Sequence, residues 1–277
     1  MIAMNGKWIA CLTGAVAVSA AAAYVLAPGK LPKEKKQLFT GVNYAHRGLH
    51  AQDKSVPENS LEGFRLAALA GYGAELDVQL SKDGQVVVFH DDTLDRVCGV
   101  SGRVDERSYA ELQELRLCGT EHRIPLFSEV LAAYDGAGPL IVELKTGRRN
   151  DELCEKTLAL LKDYKGVYCI ESFDPFIVAW FRRHAPEVVR GQLAMAAARY
   201  GKGLKKRVRG FLLSRTMFNF LTRPQFIAYD IRPKKPLAVR LCEWMGAMKI
   251  GWTAREPGHE KDLDSVIFEF YQPKPRY

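Results

Sequence analysis

The chain has 277 residues, 47% of them hydrophobic, and carries a formal net charge of +8. That is ample for a packed core, and the positive excess favours anionic partners: nucleic acid, phosphate esters or an anionic membrane face. No zinc-ligand spacing, ribonucleoprotein-type aromatic strand or helix-turn-helix accompanies the charge, which excludes a nucleic-acid module.

The first element is the run 8–27, twenty residues without a charge. As a helix it would span about 30 Å, the hydrocarbon thickness of a bilayer. Trp8 and Tyr24 stand near its ends, as interfacial aromatics do. A transmembrane helix is expected here. The rival is a cleaved signal peptide, with Ser19-Ala20-Ala21-Ala22 offering small-residue cleavage sites. Lys7 precedes the run, whereas Lys30, Lys33, Lys35 and Lys36 follow it against one Glu34. The positive-inside rule then puts the following domain on the cytoplasmic side; the signal-peptide reading would make it secreted or extracytoplasmic. Residues 1–40 are read as anchor and basic linker, and 41–277 as one folded domain.

Beyond the linker, strand-like runs fall at 42–45, 74–80, 140–145, 167–172, 188–193, 226–230, 248–252 and 266–270. Helical patterns fall at 59–71, 126–135, 150–163, 175–184, 204–220 and 236–246. Asn59 is the expected cap of the first helix, with Glu62 as its capping-box partner. Asp174-Pro175 is a cap followed by a first-turn proline. Alternating strand and helix implies a parallel sheet, and eight strands suggest an α/β fold of the (β/α)₈ TIM-barrel type. The run 85–90 is excluded from the eight, because a turn as short as Asp83-Gly84 cannot make a parallel crossover. It is read as the return arm of a hairpin on the second strand. With a two-residue turn, Asp77 would face His90; a slip of one residue would put His90 opposite Leu76 instead. Residues 91–125 are read as a small insertion after this hairpin. Five cysteines beyond the apolar run, scattered and without Cys-x-x-Cys, point to small buried hydrophobes in a reducing compartment.

In such barrels the functional groups gather at the C-terminal ends of the strands. There the sequence places His46-Arg47-Gly48, Glu75 and Asp77 with His90 returning beside them, Glu143 and Lys145, Glu171-Ser172-Phe173, and Trp252. Glu75, Asp77 and Glu143 suit one hard divalent cation, Mg²⁺ or Ca²⁺. His46 and His90 suit an acid–base pair near neutral pH. Arg47 offers a planar fork for phosphate oxygens and Lys145 a second positive charge. Those are the parts needed to cleave a phosphodiester.

The blocks His46-Arg47-Gly48, Pro57-Glu58-Asn59-Ser60, Glu75-Leu76-Asp77-Val78, Lys82-Asp83-Gly84, Val88-Phe89-His90-Asp91, Ile124-Pro125-Leu126, Glu143-Leu144-Lys145 and Trp252-Thr253 resemble the glycerophosphodiester phosphodiesterase family. The resemblance runs from about residue 42 to 255 and is densest before 146. It implies a phospholipase-C-like barrel and metal-dependent hydrolysis of a glycerophosphodiester to glycerol phosphate and an alcohol. It implies Glu75, Asp77 and Glu143 as metal ligands, His46 and His90 as the acid–base pair, and Arg47 with Lys145 at the phosphate. Phe173 and Trp252 are candidate substrate contacts. Ser60 replaces the family's threonine, Ala254-Arg255 replace Val-Asn, and Val266-Ile267-Phe268-Glu269-Phe270 lacks the usual Thr-Asp ending. These departures fall at the substrate end of the site. Two other readings stand beside hydrolysis of soluble diesters: lysophospholipase D-type cleavage of lysophospholipids by the same site, and a catalytically silent membrane-tethered lipid-binding protein.

The last feature is basic. Arg199, Lys202, Lys205, Lys206, Arg207, Arg209 and Arg215 fall in one stretch, interleaved with and followed by Phe211, Leu212, Leu213, Met217, Phe218, Phe220 and Leu221. One reading is a solvated basic helix end, the other an interfacial element docked on anionic membrane lipid.

Overall fold

The computed structural model describes residues 19–276. Its strands are β1 Asn43–Ala45, β2 Gly73–Leu80, β3 Val86–Val88, β4 Leu140–Leu144, β5 Tyr168–Ser172, β6 Val189–Ala194, β7 Phe226–Asp230, β8 Met248–Ala254 and β9 Ser265–Phe268. They are ordered β1-β9-β8-β7-β6-β5-β4-β2-β3, and a β1–β2 pairing closes the ring. β3 pairs antiparallel with β2; the other eight are parallel neighbours, each within two residues of its expected bounds. The α/β TIM barrel expected from strand–helix alternation is present.

Side-chain alternation builds two cores from the same strands. Ala74, Leu76, Val78, Leu140, Val142 and Leu144 pack outward with Phe64, Phe127 and Phe181 from the helices. Tyr44, Ile141, Cys169, Phe226, Ile250 and Ile267 form a second cluster that fills the barrel interior. Gly191 is needed there, since a Cβ would lie 2.0 Å from the Phe226 ring. Phe39, just ahead of β1, joins the interior cluster, and its carbonyl accepts from the Tyr44 hydroxyl at 3.1 Å. The N-terminal end of the barrel is therefore sealed and apolar, and polar groups can collect only at the opposite mouth.

The helices depart from expectation at two places. Ser60, not Asn59, caps the helix Leu61–Leu69, its side chain accepting from Gly63 N. Asn59 instead adopts φ +56°, a left-handed conformation that asparagine tolerates, and its side chain turns into the mouth. The pattern read as one helix over 204–220 is two, Leu204–Ser214 and Asn219–Thr222. Thr216 at φ +52° breaks the run, which periodicity does not reveal because apolar residues continue across the break. Residues 91–125 carry four short helical turns around Leu94, Val97, Val104, Leu112, Leu117 and Ile124.

The apolar run 8–27, read as a transmembrane helix, lies mostly outside the described residues; its end, 19–26, is helical. Among the described residues no helix is long and apolar enough to cross a membrane. The Leu26 carbonyl accepts from Asn219 Nδ2 at 3.0 Å, and the carbonyls of Tyr24 and Ala27 accept from Arg223 Nη1. Cys154, Cys169 and Cys242 are free and buried; Cys98 and Cys118 are free and half-buried.

Candidate active site

The turn after β1 sets the site. Arg47 is held at φ +56° and Gly48 at +78°; a Cβ on Gly48 would meet the Gly63 backbone at 2.9 Å. Keeping a non-glycine residue left-handed costs energy that packing must offset. The result is an Arg47 N–H donating to Glu75 Oε2 at 3.0 Å, with the guanidinium 3.5 Å from Asp77 Oδ2 and bonded to Glu58 Oε1 at 2.7 Å. Asn59 N donates to the Arg47 carbonyl, and Asn59 Nδ2 donates to Asp77 Oδ2 at 2.9 Å. The His-Arg-Gly and Pro-Glu-Asn segments are thus one interlocked clamp.

Register then gathers the acids. Glu75 and Asp77 share one face of β2, and Asp77 is paired with Glu143 and Glu143 with Glu171 across β2, β4 and β5. Glu75, Asp77 and Glu143 are buried and offer oxygens within 4.8 Å of one another. Lys145 Nζ donates to Glu143 Oε1 at 2.7 Å and to Asp77 Oδ1 at 3.3 Å. Burial, reinforced by mutual repulsion, pushes Glu75 well above the usual carboxylate range and raises Glu143 as well. Burial raises Asp77 too, but Lys145, His90, Arg47 and the Asn59 amide outweigh it and hold Asp77 well below its ordinary value.

The hairpin that carries His90 is out of the expected register by one residue. Val78 faces Val88 and Leu80 faces Val86, because the turn holds three residues between Ser81 and Gln85, not the two of an Asp-Gly hairpin. The slip does not spoil the site. Pairing ends with Phe89 N donating to the Asp77 carbonyl, and the chain leaves the ladder before His90. His90 is near enough to Asp77 and Glu143 to act on the charge of both. Its Nδ1 is bonded to Asp91 Oδ1 at 2.6 Å.

His46 lies across the mouth, with Nδ1 bonded to Glu269 Oε2 at 2.8 Å. Burial, then Arg47, depresses its pKa from 6.5 to about 4 despite Glu269. Burial alone would raise Glu269; the hydrogen bonds from His46 and Arg255, with the His50 ring nitrogen 3.6 Å away, hold it low and ionised. Arg255 Nε lies 2.7 Å from Glu269 Oε1. His46, His50 and Glu269 also bring three possible ligand atoms within 4.8 Å, but Glu269 already carries Arg255 and His46, so it works as a hydrogen-bonded support for the His46 imidazole.

Phe173 and Trp252 meet edge to face with centroids 5.7 Å apart, and the Trp252 indole donates to the Ala228 carbonyl at 3.1 Å. Arg199 lies 5.9 Å over the Trp252 ring and is ion-paired, together with Arg232, to buried Asp230. The expected site residues therefore share one mouth, with Phe173 and Trp252 on its aromatic side.

Several contributors went unassigned in the sequence. Glu269 pairs with a histidine 223 positions away, and nothing local signals that. Glu171 is buried, and its Oε2 has no partner among the described residues; its alternation in phase with Glu143 is the signal that was available. Arg96, from the 91–125 segment, bridges Glu58 at 2.7 Å and Asp91 at 2.6 Å, and so links the two histidine-bearing loops.

The model of the glycerophosphoryl diester phosphodiesterase family matches residues 46–263. The chain belongs to this family. Among its relatives is lysophospholipase D GDPD1 of Rattus norvegicus, 35% identical over 151 residues, which are 50% of this chain and 46% of that protein. The chain thus spans about half the length of that curated relative. A glycerophosphodiester phosphodiesterase of Caldanaerobacter subterraneus subsp. tengcongensis is 28% identical over 236 residues, 80% of this chain and 88% of the other. Solved family folds superpose on the barrel. A Thermotoga maritima glycerophosphodiester phosphodiesterase gives a TM-score of 0.63 at 25% identity, covering 82% of this chain and 93% of the other. An Oleispira antarctica phosphodiesterase, solved with its product sn-glycerol-3-phosphate, gives 0.68 at 23% identity, covering 84% and 94%.

Proposed function

We propose that this phosphodiesterase-family barrel hydrolyses glycerophosphodiesters to glycerol phosphate and an alcohol with one divalent cation held by Glu75, Asp77 and Glu143. The observation that carries the reading is the buried acidic trio with oxygens within 4.8 Å of one another. The donors are all hard oxygens, Lys145 and Arg47 are ion-paired among them, and the carboxyl of Glu171 beside them keeps an unbonded buried oxygen. Such a set fits Mg²⁺ or Ca²⁺ better than a softer metal. When bound, that ion supplies Lewis-acid polarisation of a phosphoryl oxygen and offsets the charge that builds on it.

The chain's own groups divide the remaining work. Ionised Glu269 accepts a hydrogen bond from the Nδ1–H of His46, which leaves Nε2 with a free lone pair. Kept neutral, His46 takes the proton of the attacking water or hydroxyl. His90, whose Nδ1 is bonded to Asp91, returns a proton to the departing alkoxide. Arg47 and Lys145 stand beside the acids as donors to the phosphate oxygens. Phe173 and Trp252 provide an apolar wall for the organic part of the diester.

Lysophospholipid is the second substrate reading, favoured by the 35% identity to a protein named lysophospholipase D. The apolar run 8–27 is read with it as a membrane anchor, the lysines after it placing the barrel on the cytoplasmic side. Release of glycerol phosphate from glycerophosphocholine, with and without chelator, tests the reaction. Turnover unaffected by chelation contradicts it.

A further inference from the structure

The helix Leu204–Ser214 packs inward through Gly210, Leu213 and Ser214 on the turn Ala197–Tyr200; a Cβ on Gly210 would lie 2.6 Å from the Ala197 carbonyl. A surface helix ordinarily turns its apolar stripe to the core and its polar face outward. Here exposed apolar residues stand on the outer face as well, among basic ones. Leu204, Val208 and Phe211, at i, i+4 and i+7, are 79%, 53% and 51% exposed. The helix Leu237–Trp244, in the connection after the neighbouring strand β7, repeats the spacing with Leu237, Leu241 and Trp244 at 67%, 40% and 84%. Single exposed apolar residues are ordinary, but grouped ones mark contact surfaces.

Three observations identify what covers them. Between Glu187 and Asp230 the chain has nine lysines and arginines and no carboxylate, and Lys202, Lys205, Lys206, Arg207 and Arg209 are exposed among the outward apolar residues. Apolar residues flanked by unopposed basic ones suit an anionic lipid surface. Asn219 Nδ2, in the β6–β7 connection, lies 3.1 Å from Cys242 Sγ on Leu237–Trp244 and 3.0 Å from the Leu26 carbonyl, so both connections adjoin the end of the uncharged N-terminal run. Finally, Tyr200 beneath the first helix lies 6.5 Å from Phe173, which leads to Trp252.

We propose that the outer faces of Leu204–Ser214 and Leu237–Trp244 form one docking surface for an anionic bilayer, which sets the Phe173–Trp252 side of the mouth against lipid and admits acyl-bearing phosphodiesters from it. The substrate part rests on the phosphodiesterase reading; the lipid contact does not. The test uses the full chain in vesicles of phosphatidylcholine and phosphatidylglycerol. Paired substitutions Val208→Asp with Phe211→Asp, and Leu241→Asp with Trp244→Asp, are expected to lower turnover of vesicle-borne lysophospholipid at least tenfold while changing that of soluble glycerophosphocholine less than twofold. Equal effects on both substrates overturn the proposal. Brominated lipid should quench the Trp244 fluorescence, isolated by difference from Trp244→Phe, whether or not either substrate turns over. Unquenched Trp244 in anionic vesicles overturns it. So does Trp244 shielded from aqueous iodide before vesicles are added, which would assign the face to a second copy of the chain. Wild-type protein that cleaves neither substrate yet shows quenched Trp244 sinks the phosphodiesterase reading and leaves the docking surface standing.

Discussion

The two sides of the barrel mouth are built differently. On the β1, β2 and β4 side, charged groups are buried and paired within short segments: Arg47 with Glu58, Asn59 with Asp77, Lys145 with Glu143 two residues away. On the β7, β8 and β9 side, each carboxylate also gathers a partner from a distant loop: Asp230 takes Arg199 besides Arg232 two residues away, and Glu269 takes His46 besides Arg255. The first side fixes charge in a dry setting, where electrostatic effects are large. The second side is more open, Arg232 and Arg255 being over half exposed, and is suited to choosing what is cleaved.

That contrast orders the expected effects. His46→Ala and His90→Ala strike the chemical step, and each should lower kcat by about 10²–10⁴-fold, the usual worth of a positioned acid or base. Steady-state turnover of glycerophosphocholine, with circular dichroism to confirm the fold, measures it.

Metal should act on stability as well as rate. The raised pKa values of Glu75, Glu143 and Glu171, above an ordinary 4.5, mean that these three carboxyls hold protons more tightly in the metal-free fold than in the unfolded chain. Their own contribution to stability is therefore fullest below about pH 4.5 and is lost as pH rises through the folded-state values. A divalent ion at about 100 times its Kd adds about 2.7 kcal/mol, or about 5–10 °C in Tm for a domain of this size. Calorimetry should show the larger shift at pH 8 and a smaller one at pH 5.

Glu269→Gln tests a link across the two sides. Removing a charge-assisted hydrogen bond worth about 1.5–3 kcal/mol should lower kcat by about 10- to 100-fold with little change in KM. At saturating metal, wild-type kcat/KM should keep His46 unprotonated until pH approaches its pKa of about 4, so the acid limb belongs well below 6.5. The smallest effect is expected from Arg255→Asn and Trp252→Ala. These should reorder preference among diesters with different alcohols while costing about tenfold or less on any one of them, the range of modest pocket changes.

The sequence carried the same asymmetry. Strand bounds, the barrel and the acidic trio were readable because alternation and short motifs are local. Asn59 was misplaced as a helix cap because both roles call for the same residue type, and only the β1 turn decides between them. The hairpin slipped a register because Asp83-Gly84 also fits a three-residue turn; His90 still reached the acids because the ladder stops before it. Glu269 and Arg96 were invisible, since their partners come from distant loops and no spacing links them.

Isothermal titration of metal-free protein with Mn²⁺, on wild type and on Glu75→Gln and Glu143→Gln, addresses the central claim most directly. One ion per chain should bind to wild type, and both variants should lose that binding together with glycerol phosphate release. Unchanged stoichiometry in the variants, or full turnover by wild type stripped of metal, would contradict it.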